Sequence, residues 1–219
     1  MTAASPDLPP SLAASPRLGD WLRVRPAGVV EVRSGKVELG QGVLTALAQV
    51  AADELDVEMA RVRMVAAATG ISPDEGHTAG SLSVQQSGSA LRVACAEARV
   101  VYLGVAARRW DVPPAVLTVT DGAIAAPDGR TTSYWELADD ALLDRPATGL
   151  AEPKAASRYR IVGTSVPRMD LPDKLAPRPA TSTTWSWTEC CTAGSSGLRP
   201  AAPRWSTSSR GRPRRWPGS

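Results

Sequence analysis

The sequence predicts an α/β (α+β) domain, a mixed sheet with two main helices, followed by an extended linker and an unstructured tail. Three observations carry this prediction. Residues 21–33 alternate apolar and polar side chains on either side of Pro26-Ala27-Gly28, the signal of a hairpin. Leu44, Leu47, Val50, Ala51 and Leu55 form one apolar stripe at helical spacing, and Arg61-Val62-Arg63-Met64-Val65 then alternates as a strand. A longer apolar helix follows Ser83 and ends near Trp110.

Taken in order, residues 1–19 are rich in Pro, Ala and Ser and are expected to be a flexible leader. The domain spans residues 20–145. After the hairpin, Ser34-Gly35 turns the chain and residues 36–39 are expected to be a third short strand. A crossover from Val37 to Val62 through the first helix makes a βαβ-like unit. Asp53, Glu54 and Asp56 near the end of that helix oppose its dipole at a small cost. Residues 66–80 form a loop holding Thr69, Gly70, Pro73, Asp74, Glu75 and Gly76. In the second helix Ala90, Leu91, Val93, Ala94, Ala98, Val101 and Leu103 cover more than one stripe, so it is largely buried. Val112-Pro113-Pro114 stops it. Asp121-Gly122 between two short apolar runs is a second hairpin signal, and Pro127-Asp128-Gly129 a further turn. Ser133 and Glu136 stand at capping-box spacing and predict a short helix. Residues 146–175, with Pro146, Pro153, Pro167 and Pro172, are a linker, and residues 176–219 a disordered tail.

Composition narrows the function classes. An apolar fraction of 43% suffices for a core, but Phe is absent and aromatics are 5%, so aliphatic residues and Ala must fill it. No apolar run is long enough to span a bilayer, and no basic-then-apolar leader marks a secretory signal, so a cytoplasmic location is expected. The net charge of +3 is misleading: from residue 176 onward there are seven Arg and one acid, while the first 175 residues carry 18 bases and 21 acids. The domain is thus mildly acidic, which argues against nucleic acid as its partner. Three Cys form no disulfide framework and no CxxC is present. Cys95 falls on the long helix as a core thiol.

Two stretches could carry chemistry. In Gly40-Gln41-Gly42 both glycines lack a Cβ, so the backbone can approach a ligand, and the helix that follows aims unpaired N–H groups at the same spot. Such an end suits a phosphate or another anion, although the same residues also make a plain strand-to-helix turn. The run lacks the third glycine of a Rossmann fingerprint and follows no clean central strand. Thr78-Ala79-Gly80-Ser81-Leu82-Ser83 opens the long helix, where hydroxyls can serve as N-caps or as ligand donors. His77, the one histidine, has no clustered Cys or carboxylates to share a metal and is expected to be a loop residue. Asp74 and Glu75, in a Pro/Gly loop, are expected to be solvated.

The run GKVELGQGVLTALAQVAADELDV, with SPDEGHTAGSLSVQQSGSALRVACAEAR after it, resembles the molybdopterin-binding subunit of the xanthine dehydrogenase/aldehyde oxidase family, in particular its isoquinoline oxidoreductase and nicotinate dehydrogenase type. The likeness extends from about residue 8 to about residue 173, and its two motifs, GQG and TAGSxS, stand in the expected order. In that family a pterin dinucleotide holds molybdenum through a dithiolene, and a hydroxyl derived from water is placed on an aldehyde or N-heterocycle carbon. Electrons leave through a 2Fe–2S partner subunit. The resemblance implies that Gly40, Gln41, Gly42, Thr78, Gly80, Ser81 and Ser83 bind the cofactor, expected in its cytosine dinucleotide form. An amide such as Gln41 can match the donors and acceptors of a pterin. Family members carry an aromatic where His77 stands. They also run to several times this length, with the base Glu and the substrate-orienting residues in later domains. The chain is therefore expected to be an N-terminal part of such a subunit, inactive alone, with no catalytic residue of its own. The alternative from another class is a small non-enzymatic α/β module whose Arg/Trp tail binds nucleic acid or an acidic partner.

The tail carries a further expectation. Apolar periodicity stops near residue 176, and four of the seven Trp fall in the last 39 residues. If each triplet for residues 181–199 is taken as the last base of one codon plus the first two of the next, TSTTWSWTECCTAGSSGLR becomes YVHDLVLDGMLHGRVVRPP. That string resembles what the family carries next. Residues from about 174–181 onward are therefore expected to be translated out of frame, and Cys190 and Cys191 to have no function. Sequencing the gene across these codons should reveal the alternative frame; a nucleotide sequence that cannot encode the second string would refute it.

Overall fold

A Pro at the first helical position loses nothing, because the N–H it lacks would be unpaired there. The first helix, α1 (Pro10–Ala14), begins this way in the computed structural model, which describes residues 7–175. Helix α2 (Leu18–Trp21) follows, and the Trp21 indole N–H donates to the Ser15 carbonyl at 2.8 Å. Leu12, Leu18 and Trp21 are fully buried. Part of the expected leader is thus folded: its few large apolar residues reach the core, which composition averaged over Pro, Ala and Ser concealed.

The first hairpin forms as expected. Strand β1 (Leu22–Arg25) pairs antiparallel with β2 (Val29–Arg33), Leu22 opposite Val32 and Arg25 opposite Val29. Glu31 on β2 accepts from Arg25 at 2.8 Å and from Arg63 on the next strand. Its hydrogen bond to Arg25, then that to Arg63, hold its carboxyl below the usual range despite burial. Residues 36–39 are not a strand. A loop, residues 34–42, leads into α3 (Val43–Leu55), and β3 (Val62–Val65) returns parallel to β2, Val30 opposite Val62. The βαβ unit therefore runs β2–α3–β3, in a mixed sheet ordered β1-β2-β3.

Helix α4 (Ser89–Trp110) packs on α3, α1 and α2. It buries Ala90, Leu91, Ala94, Cys95, Ala98 and Tyr102, the small residues allowing a close approach. A π-helical turn, Val84–Gly88, precedes it. Beyond it β4 (Thr118–Thr120), β5 (Ala123–Ala125) and β6 (Thr131–Ser133) form a second, antiparallel sheet, where one mixed sheet was expected. Asp121 and Gly122 both have positive φ, 46° and 77°, as a two-residue hairpin turn requires. A Cβ on Gly122 would lie 2.6 Å from Trp135. The Asp121 carboxylate accepts from Arg61 at 3.0 Å and from the Glu58 N–H at 3.0 Å, which ties the second sheet to the turn after α3. Ser133 accepts from the Glu136 N–H at 3.1 Å as its spacing predicted, but the segment stays a turn. The Glu136 carboxylate accepts from the Thr132 hydroxyl instead. The short helix, α5 (Asp140–Leu143), starts later and is capped by Asp139.

The expected linker becomes a strap laced onto α3, ahead of a last short helix, α6 (Leu171–Leu175). The Asp53 carboxylate accepts the N–H groups of Arg160 at 2.9 Å, Ile161 at 3.2 Å and Val162 at 2.6 Å. Glu54 accepts from the Lys154 N–H at 3.0 Å. Farther along, Gln49 donates to the carbonyls of Ile161 and Thr164 at 2.9 and 3.1 Å, and Thr45 accepts from the Met169 N–H at 3.0 Å. Asp53 and Glu54 are each 1% exposed, so they are anchors rather than minor costs at a helix end. Among the described residues no helix is long and apolar enough to cross a membrane. The out-of-frame expectation, with Cys190 and Cys191, lies outside the described residues.

Asp53→Asn should detach the strap, because an amide NH₂ would face N–H donors. We expect a stability loss of about 1–3 kcal/mol. Limited trypsin digestion should then cut after Arg158 and Arg160 well before the rest of residues 7–175 is attacked.

Candidate functional site

Two loops meet in front of α3 and the π-helical turn. In the first, Gly40 and Gly42 have φ of 108° and 78°, a region open to glycine, and nothing lies within 4 Å of where a Gly40 Cβ would be. In the second, Gly80 and Ser81 have φ of 66° and 57°. Between them lies an open cleft of about 260 Å³ lined by Leu39, Gln41, Thr78, Ala79, Ser81 and Ser83. Four residues singled out from the sequence, Gln41, Thr78, Ser81 and Ser83, thus share one hollow. Gly40, Gly42 and Gly80 shape its loops without lining it, and Gly42 faces Arg168 of the strap.

The helix end expected to receive a phosphate already holds an anion. Glu38 accepts the N–H groups of Gly40 and Gly42 at 2.8 Å each and of Leu44 at 3.2 Å. Burial pushes its carboxyl up, but the three N–H groups outweigh this and hold it below its ordinary value. Arg168 closes the arrangement from behind, donating to the Gly40 carbonyl at 2.7 Å and approaching Glu38 at 3.4 Å. The start of α3 is therefore no open anion site.

Gln41 folds back on its own loop, accepting from the Leu39 N–H at 2.5 Å and donating to the Val37 carbonyl at 3.0 Å. The Thr78 hydroxyl accepts from the Val37 N–H at 2.8 Å, a direct bond between the loops. Neither Ser81 nor Ser83 caps the helix: the N-cap position at Ser83 makes no side-chain bond, which corrects the capping expectation. Their hydroxyls find no partner among the described residues. The second loop, rather than the start of α3, thus offers open donors to a polar ligand.

Sequence reasoning missed the residues that hold these loops. Lys36 is 1% exposed and donates to the carbonyls of Glu75 and His77 and to the Gln86 side chain. Glu75 is not solvated: its carboxylate accepts from Ser34, Gly35 and Ser87. The acid just ahead of a glycine helix start was a usable signal for Glu38. Nothing local marked Lys36, whose partners lie 39 to 50 residues away. His77 is an exposed loop residue, as expected. Cys95 is a buried thiol, and burial, then the Glu54 charge, push its pKa up. Among the described residues no cluster of His, Cys, Asp or Glu could hold a metal.

A family model described as a molybdopterin cofactor-binding domain matches residues 6–169. The chain is 40% identical over 154 residues to a nicotinate dehydrogenase subunit of Pseudomonas putida, covering 70% of this chain and 13% of that relative. It is 33% identical over 207 aligned residues to the beta subunit of isoquinoline 1-oxidoreductase of Brevundimonas diminuta, covering 76% of this chain and 26% of that one. Among solved structures, CO dehydrogenase from Oligotropha carboxidovorans is 26% identical with a TM-score of 0.47, over 53% of this chain and 15% of that one. The chain thus spans between 13% and 26% of the length of these two curated relatives.

The Glu38 cap has a pH signature. Its folded-state pKa is lowered, so its contribution is present above the ordinary value of 4.5 and disappears as pH falls through the folded value. Glu38→Gln should cost about 1–2 kcal/mol at about pH 6. The gap between wild type and variant should close as pH falls below 4.5 and through the lowered folded value in urea unfolding.

Proposed function

Because the chain belongs to the molybdopterin cofactor-binding family, we propose that it forms one wall of the cofactor site of a molybdenum hydroxylase subunit. The observation that carries this reading is the shared cleft, in which one amide and three hydroxyl side chains converge from two loops. Gln41 is the group for the pterin edge, once its amide lets go of Val37 and Leu39. Gly80, Ser81 and Ser83 are the groups for the pyrophosphate, since Glu38 makes the start of α3 repel it. The open space above Gly40 lets a flat ring approach the backbone. A dinucleotide form suits a site whose two halves are a pterin-matching amide and a phosphate-matching hydroxyl loop, and its cytosine type is proposed on the family likeness alone.

When bound, the cofactor would supply the oxidation of an aldehyde or N-heterocycle carbon, with electrons passing to a 2Fe–2S partner subunit. This chain's own part is to bind and orient. None of the residues lining the cleft is an acid, a base or a thiol, so none can move a proton for the reaction. Half a cofactor site, without residues to take the proton, does not preorganise the transition state of this reaction, and the chain alone is proposed to be inactive.

The test uses the purified full chain and molybdopterin cytosine dinucleotide released from a denatured hydroxylase. The wild type should retain fluorescent pterin after gel filtration, and Ser81→Ala with Ser83→Ala should weaken binding about tenfold. Benzaldehyde and nicotinate should not be turned over. Equal retention by wild type and variant would move the site elsewhere, and turnover would refute the division of labour.

A further inference from the structure

Resting on that reading of the cleft, we infer that Lys36 and Glu75 are positioning residues: a buried polar clamp that fixes the separation of the two cofactor loops. The Lys36 ammonium spends all three of its donors on the opposite loop and the turn behind it: Glu75 O at 2.6 Å, His77 O at 3.1 Å and Gln86 Oε1 at 3.0 Å. The Glu75 carboxylate answers from the other side. Its Oε2 accepts from the Ser34 hydroxyl at 3.0 Å, the Gly35 N–H at 2.8 Å and the Ser87 hydroxyl at 2.9 Å. The Ser34 and Ser87 hydroxyl oxygens also lie 2.8 Å apart, so two hydroxyl protons serve three contacts, and the Lys36 N–H donates to Ser34 at 3.0 Å. The Val37–Thr78 bond is the outermost rung. Gln41 lies five residues beyond Lys36, and Ser81 six beyond Glu75, so the set anchors the base of each cleft wall.

Stability alone does not account for the arrangement. An ammonium ion and a carboxylate are withdrawn from water, and Glu75 Oε1 is buried with no partner. Buried charges of this kind are weak evidence for stability, because desolvation offsets much of their attraction. A directional polar network, with all three Lys36 donors engaged, does what an apolar contact does not, which is to fix one register between two loops that lack regular secondary structure. That register sets the spacing of Gln41 from Ser81 and Ser83, and so the fit of a pterin nucleotide between them.

The full chain is compared as wild type, Lys36→Met, the gentler Ser87→Ala, and Ile124→Val, a core control in the second sheet. The first readout contains no ligand. Amide hydrogen exchange across residues 35–42 and 75–81 should speed up about tenfold in both clamp variants, with the α4 core amides unchanged. The second readout is the affinity for molybdopterin cytosine dinucleotide, which should fall about tenfold for Lys36→Met and about threefold for Ser87→Ala, and stay level for Ile124→Val. Unchanged loop exchange overturns the clamp, as does exchange raised equally throughout α4. Local loosening with affinity no lower than that of Ile124→Val overturns the positioning role and leaves the cofactor reading standing. A wild-type chain that binds no dinucleotide overturns the cofactor reading, and the exchange data then decide the clamp alone. If Lys36→Met does not fold, Ser87→Ala gives both answers.

Discussion

Irregular backbone can be buried only where its N–H groups find acceptors, and in this protein side-chain carboxylates supply many of them. Glu38 takes the N–H groups of Gly40, Gly42 and Leu44. Asp53 takes those of residues 160–162 and Glu54 that of Lys154. Glu75 takes that of Gly35, and Glu97 on α4 takes those of Thr148 and Gly149. Five acids thus organise long segments that neither helix nor sheet would hold. The sheets are small and the helices few, so these charge-assisted bonds, stronger than neutral ones, decide where the loops lie.

This explains what could be seen from the sequence and what could not. The β1–β2 hairpin, α3, β3, α4 and the turn at Asp121-Gly122 announce themselves through periodicity or turn chemistry, which are local signals. The helix at Pro10–Ala14, the strand at Thr131–Ser133 and the strap along α3 do not, because each forms only against a distant partner. Lys36 and Glu38 alternate like a strand, yet the side chains that would have faced a sheet are used to bind loops. Asp53 and Glu54 looked like surface acids at a helix end, when their partners stand about a hundred residues farther along the chain.

The candidate site shows the same division. Its members were legible as residue types, glycine where φ is positive and hydroxyls beside a helix, and the cleft gathers Gln41, Thr78, Ser81 and Ser83. Its electrostatics were not. A helix start favours an anion, but whether the anion is a ligand or the protein's own glutamate depends on a side-chain direction that spacing does not fix. Glu38 settles this in favour of the protein, and the polarity of the site turns towards the second loop.

The strap also says where this chain can change length. From Thr45 to Asp53 the helix rises only about 12 Å. The strap residues bonded to those two positions, Met169 and Ile161, are joined by a stretch that could reach about 26 Å if extended. The excess is taken up by a turn in which the Thr164 N–H meets the Ile161 carbonyl and Gly163 adopts a φ of 87°. The slack lies in residues 165–167, between Thr164, whose carbonyl is held by Gln49, and Arg168, which bonds Gly40, so an added residue there leaves both anchors in place.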